Sequence, residues 1–419
     1  MELTCLVLLG SSALAAAQNA PTLAETKRQA TLLLRKGQFP AAIEAYQKVL
    51  KASPHDEKAT LGLAAAYRGI FNYDEARRLL SDAEKRYPKS GLALVELGKL
   101  DIHLQHYDEA IEHLTRAVRR QPGLSAAHEQ LGVAYQAKGE DEKALRRFDE
   151  AVRLNPTSAS AHYFRGSLYA DRDDYQRAYN DAQQAHNLEP NPQSDALLAK
   201  AATHIGKCDD AIALLKPIAQ PESYDPANLY LLSTAYKCAG QADMARATLA
   251  DFESRSKRAQ ELRTRSMEAD HLASQAGELA RENQLAGAMD LIHQALEKDP
   301  ENAATHALLA KIEFSRGNVA SANEEITRAL QNDPYNPDYL YVSGKVLEKQ
   351  TDAKGALDAF QRTVLVNPSE SDAYFEMARI YLQQGRRDLA IHALKKATQL
   401  SPDDPDYKKA LAVAEHPTH

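Results

Sequence analysis

Apolar positions in this chain recur at helical spacing. Between Ala127 and Pro156, Leu131, Gly132 and Tyr135 share one face of a first helix. Ala144, Phe148 and Ala151, at i, i+4 and i+7, share one face of a second. Gly139 and Glu140 make the polar turn between them, with Gly suited to a helix end. Pro156 has no backbone N–H to donate, so it stops the second helix. Gly132 and Ala144 are small where two helices must approach, and Tyr135 and Phe148 are placed to fill the space between helix pairs.

The unit repeats. Pro54, Pro88, Pro122, Pro156 and Pro190 follow one another at 34 residues, and Pro300, Pro334, Pro368 and Pro402 do the same. Each is preceded by the same mix of small and large positions: Leu63, Ala64, Tyr67, Ala76, Leu80 and Ala83 before Pro88, and Met377, Ala378, Tyr381, Ala390, Leu394 and Ala397 before Pro402. One helix pair cannot bury its apolar face alone, so a fixed period of this size predicts a stacked array. Small residues, Tyr and Pro in this spacing resemble the tetratricopeptide repeat family over nearly all of the chain after residue 17. The resemblance implies an all-α fold, a right-handed superhelical solenoid of about eleven helix-turn-helix repeats between Thr22 and Pro402.

The register breaks in the middle. Pro217 falls inside the second helix of its unit and should end or kink it. A longer loop follows from Gln220 to Pro226, and the next unit, Ala227 to Phe252, lacks a terminal proline. The expected organisation is an N-terminal array over 22–252, an irregular linker helix over 253–266, a C-terminal array over 267–402, and a capping helix and tail over 403–419. The basic residues of the linker (Arg255, Lys257, Arg258, Arg263, Arg265) read as a solvated helix face.

Composition narrows the class. Apolar residues make up 44% and charged residues 26%, which suits a folded chain and not a disordered one. A net charge of −7 argues against a nucleic-acid partner, which would call for a basic face. No apolar run approaches the roughly 20 residues of a membrane span. At the N-terminus, Leu3 to Leu9 followed by Ala13-Leu14-Ala15-Ala16-Ala17 fits a signal peptide over 1–17, cleaved near Ala17, although the basic start is absent. The expected location is therefore exported, periplasmic or secreted. Cys5 leaves with that segment. Cys208 and Cys238 are 30 residues apart; export would permit a disulfide between them, and two separate thiols fit the spacing equally well.

No catalytic pattern is present: no Gly-rich phosphate loop, no G-x-S-x-G, no H-E-x-x-H. His103 closes one helix, His106 sits in the turn and His113 lies on the next helix, so no single face presents all three to a metal, and no metal or cofactor is expected. Superposing the C-terminal units by period gives a clearer signal. Lys311, Lys345 and Arg379 occupy one position, Ala307, Tyr341 and Phe375 a second, and Phe314, Glu348 and Leu382 a third. The family resemblance implies that these positions line a concave groove that holds peptides. A cation ladder beside Phe314, Tyr341 and Phe375 would suit an acidic peptide or a free carboxylate, and solubilising charge explains the same ladder. The matching N-terminal positions, Leu61, Ala65, Val95, Lys99, Val133 and Tyr163 among them, form a more apolar wall open to a helix or to self-association. The expected function is a non-catalytic, exported scaffold for other proteins. The alternatives are an accessory subunit of a cell-envelope enzyme or secretion complex, and a cytoplasmic scaffold if the N-terminus is not cleaved. On this reading Tyr135→Ala costs roughly 3–5 kcal/mol, and Lys345→Glu stays within about 0.5 kcal/mol.

Overall fold

The computed structural model describes residues 22–220 and 226–416. The expected signal peptide with Cys5 and the Ala17 cleavage point, residues 221–225 of the central loop, and the last three residues lie outside the described part. Among the described residues there are 22 helices and no strand. The chain divides into two units, Met1–Leu214 and Leu215–His419.

In the first unit the helices are α1 Leu23–Arg35, α2 Phe39–Ala52, α3 Glu57–Gly69, α4 Tyr73–Arg86, α5 Leu92–His103, α6 Tyr107–Arg120, α7 Ser125–Ala137, α8 Asp141–Leu154, α9 Ala159–Asp171, α10 Tyr175–Leu188 and α11 Pro192–His204. The next helix, α12 (Cys208–Ile218), lies across the division and ends one residue after Pro217. The second unit continues with α13 Ala227–Cys238, α14 Ala242–Arg281, α15 Leu285–Lys298, α16 Ala303–Ser315, α17 Val319–Asn332, α18 Pro337–Lys349, α19 Ala353–Val366, α20 Ser371–Gln383, α21 Arg387–Leu400 and α22 Pro405–Glu415. Side-chain caps start many of them. Thr22 and Glu25 form a capping box on α1, and Asp56, Asn72, Ser158 and Asp174 each accept from a backbone N–H of the first turn they precede.

Within each unit, consecutive helices pair off and each pair packs on the next. The contact that sets their closeness is a glycine against a large side chain. A Cβ on Gly132 of α7 would lie 2.5 Å from the Phe148 ring of α8; one on Gly98 would lie 2.4 Å from Leu114, and one on Gly344 would lie 2.5 Å from Phe360. Phe148 and Phe360 are fully buried. Phe148 also stacks on Phe164 of the following pair, with centroids 6.0 Å apart. Tyr135, expected to share this task, is half-buried, and the Lys143 ammonium lies 5.3 Å from its ring centroid. The anchor of the unit between Ala127 and Pro156 is thus Phe148.

Each pair turns through one residue in the left-handed region, which favours glycine. Five of these are non-glycine: Phe71, Gln105, Asp173, Asn283 and Thr351. A proline stands 17 residues after all of them, and after Gly37, Gly139, Gly317 and Gly385. After Gly240 that place holds Lys257, and the helix does not stop there. So α14 runs 40 residues, about 60 Å at 1.5 Å per residue. Its start packs on α13 and its end on α15, with Ala269, Ala273 and Ala276 buried near the end. The segment 253–266 is the middle of this one helix. Leu262 and Met267 are exposed there, and Arg255 pairs with Asp251 at 2.8 Å.

The expected cost of disturbing the anchor follows. Phe148→Ala should destabilise by about 3–5 kcal/mol, and Gly132→Ala by about 1–3 kcal/mol through overpacking. Urea unfolding followed by circular dichroism measures both; a neutral Gly132→Ala would show that the ring has room to move.

Candidate interaction surfaces

Histidine–carboxylate clusters are the first place to look for chemistry. Asp101 of α5 is fully buried, with Oδ1 2.7 Å from Arg77 Nη2 of α4 and Oδ2 2.7 Å from His113 Nδ1 of α6. Asp181 of α10 accepts from Arg165 Nε and Nη2 at 2.7 Å each, and lies 2.8 Å from His162 Nδ1 of α9. His162 Nε2 faces the Pro156 carbonyl at 3.1 Å, and His306 repeats the arrangement between the Pro300 carbonyl and Glu325. In α7, His128 Nε2 faces the Pro122 carbonyl, but its Nδ1 has no hydrogen-bond partner. The residue 19 positions on, which is Asp181 for His162 and Glu325 for His306, is here Arg147. Burial lowers the pKa of His128 and so keeps the ring neutral. In the clusters of Asp101, Asp181 and Glu325 the carboxylate is matched by a histidine or arginine of a neighbouring helix, and the Arg77 and His113 side chains keep 38% and 20% of their surface exposed.

Burial pushes the Asp101 and Asp181 carboxyls up, but the hydrogen bonds from His113 and Arg77, and from His162 and Arg165, outweigh it. Both are held below the usual carboxylate range. A depressed folded pKa stabilises above the unfolded value of about 3.9 and is lost as pH falls through the folded value.

The first helices of the second unit's pairs carry the other candidate. Lys345 Nζ of α18 lies 2.6 Å from Glu376 Oε1 of α20, and Arg379 Nη1 lies 2.5 Å from Glu376 Oε2. Glu348 Oε1 is 3.4 Å from Arg379 Nη2, and its Oε2 is 3.8 Å from Lys345 Nζ. The two cations therefore alternate with two carboxylates, and Glu376 is buried. Lys311 is exposed on α16 and is not one of the four. Tyr341 packs on Phe360 with centroids 5.6 Å apart, and Phe375 on Tyr407 of α22 at 4.9 Å. Phe314 is half-buried on α16, and Ala307 is buried. Tyr407 Oη donates to Asp372, and burial with that bond pushes its hydroxyl up to about 12. Of the residues singled out by period, the structure thus brings together Lys345, Glu348 and Arg379, while Tyr341 and Phe375 pack on Phe360 and Tyr407. Glu376 was missed; its spacing of three from Arg379 on one helix was the available signal.

The first unit has a parallel. Glu96 of α5 lies 2.7 Å from Lys99 and 3.8 Å from Arg68 of α3. Glu129 of α7 is buried and accepts from Ser160 at 2.7 Å and Ser158 at 3.2 Å. Of the three histidines weighed as metal ligands, His103 Nε2 lies 3.0 Å from Tyr73 Oη, His113 faces Asp101, and His106 precedes α6. Among the described residues no group of three His, Cys, Asp or Glu is assembled to hold a metal, and no helix is long and apolar enough to cross a membrane. Cys208 opens α12, Cys238 closes α13, and both are in the disulfide-bonded form.

Stacked helix pairs with these small and large positions define a repeat protein. A family model, tetratricopeptide repeat, matches residues 33–97, 101–168, 279–345 and 347–414, and the chain belongs to that family. The unmatched stretch 169–278 includes the two turns without a following proline. Comparison with curated proteins found no match. Among solved structures, the chain is similar to the APC/C hetero-tetramer Cut9-Hcn1 at 11% identity, covering 96% of this chain and 98% of that one with a TM-score of 0.33. It is similar to yeast Tom70 at 15% identity, with coverages of 94% and 95% and a TM-score of 0.32. It is also similar to Pseudomonas aeruginosa PilF at 19% identity, over 47% of this chain and 90% of that one, with a TM-score of 0.40.

The ion-pair network changes the outcome expected for Lys345. Lys345→Glu removes a partner of buried Glu376 and should cost about 1–3 kcal/mol; a urea midpoint shift worth less than about 0.5 kcal/mol would show that the pair contributes nothing. For the buried carboxylates, stability of the wild type should fall as the medium is acidified below about pH 4, and Asp101→Asn with Asp181→Asn should flatten that fall. An unchanged acid profile in the double variant would remove both groups from the account.

Proposed function

We propose that this tetratricopeptide repeat protein is an exported scaffold whose second unit docks a segment of another protein on the first-helix face of α16, α18 and α20. The observation that carries the reading is the fixed side-chain array on that face. Lys345, Arg379, Glu348 and Glu376 hold one another in place on α18 and α20, the helices that also carry Tyr341, packed on Phe360, and Phe375, packed on Tyr407. A face already ordered by its own ion pairs loses little further freedom when a partner arrives. The absence of a catalytic pattern, the histidines paired with carboxylates and the family together favour binding over catalysis. Export rests on the sequence of residues 1–17, and cysteines in the disulfide-bonded form agree with an oxidising compartment.

Two measurements test this. Intact mass of the protein purified from its own cells should correspond to a chain beginning at Gln18, and retention of Met1 would overturn the export reading. A photo-crosslinking amino acid placed at Lys311 or Leu382, both exposed on the proposed face, should capture a partner. The same probe at Lys396, exposed on α21, should not. Capture from Lys396 alone would place docking on the opposite helices.

A further inference from the structure

The period-34 cations suggested an acidic ligand; from the carboxylates that pair with them we infer instead that the segment docking on α18 and α20 is basic, with Lys or Arg side chains spaced by apolar ones. The inference rests on the docking reading above and specifies what docks.

Charge left unpaired on this face sets the sign of its partner. Lys345 and Arg379 are each held by both Glu348 and Glu376, so the four charges cancel. What remains at the start of these helices is acidic. Asp338 sits in the first turn of α18, Asp372 in the first turn of α20, and Glu370 just before α20. Asp338 and Asp372 are exposed, within reach of a group arriving from outside; Asp372 accepts from Tyr407 Oη and Glu370 from Asn367 Nδ2, neutral donors that leave the carboxylate charge unpaired. The three share one neighbourhood. Burial pushes the Glu370 carboxyl up, and the charges of Asp372 and Asp338 push it further. The Tyr341 hydroxyl is pushed up by burial and then by Glu376, Asp372 and Glu370. A negative field therefore reaches the same half-buried ring that lines the docking face. A lysine stem or a guanidinium plane lying on Tyr341 or Phe375 would bring its charge to these carboxylates, gaining ring contact and charge pairing together. An acidic segment would have to displace Glu348 or Glu376 from its cations and would meet Asp338 and Asp372 on the way in.

The experiment uses the full chain and two labelled peptides of equal length, one alternating Lys with Phe and Ala, the other Glu with Phe and Ala, read by fluorescence anisotropy. The Lys peptide should bind at least about 10-fold more tightly, and high salt should weaken it. Asp338→Asn with Glu370→Gln should weaken it about 10-fold. Asp358→Asn with Asp388→Asn removes the same charge from exposed sites on α19 and α21 and should leave binding unchanged. Equal loss in both double variants would reduce the effect to net charge and overturn the inference. Tighter binding of the Glu peptide would overturn the sign while leaving the docking face standing. If neither peptide binds, the docking reading fails and this inference fails with it.

Discussion

A missing side chain holds this molecule together. Gly132, Gly98 and Gly344 each lie so close to a large neighbour that one added carbon would overlap it. That closeness lets two short helices bury most of a ring between them, and neither helix has enough apolar surface to do so elsewhere. The rest follows from the requirement that each pair cover the next. Phe148 fills the hole opposite Gly132 and still reaches Phe164 of the following pair. Stability within each unit is thus a sum of near-identical contacts between neighbours.

Such a framework separates what folds the chain from what the chain presents. The glycine and ring positions between the two helices of a pair are committed to packing, while the second helices also keep exposed positions such as Asp358 and Asp388. The remaining face of each first helix can vary, provided its charges are balanced. Glu376 shows the limit of that freedom, because it is buried and pairs with both Lys345 and Arg379, so losing either cation leaves a buried carboxylate short of a partner. Residues that look like surface decoration are here partly structural. The same holds for Glu96 with Lys99 and Arg68 in the first unit.

Much of this was legible in the sequence, for a physical reason. A repeated contact leaves a repeated residue, so the prolines and the small–large positions fix the helix pairs directly. The long α14 was legible too, since a lysine stands where proline would end the helix. What stayed hidden are contacts between positions that do not share a register. Asp101 occupies the place of Tyr67, Tyr135 and Tyr169 in neighbouring units, an oddity visible in the sequence. Its partners Arg77 and His113 lie 24 and 12 residues away, and nothing in the period points to them. The partners of the cation ladder stayed hidden for the same reason. Superposed columns show Lys345 and Arg379 aligned, whereas the carboxylate between them, Glu376, belongs to none of those columns. Charge on a repeat surface has to be read across helices, and only a fold supplies that neighbour list.

The central claim is that the first-helix face recognises a partner while the second helices do not. Amide hydrogen exchange of the full chain, alone and with a crosslink-identified partner, tests it most directly. The account expects slowed exchange in α16, α18 and α20 and little change in α17, α19 and α21. Slowing confined to the latter helices would contradict it.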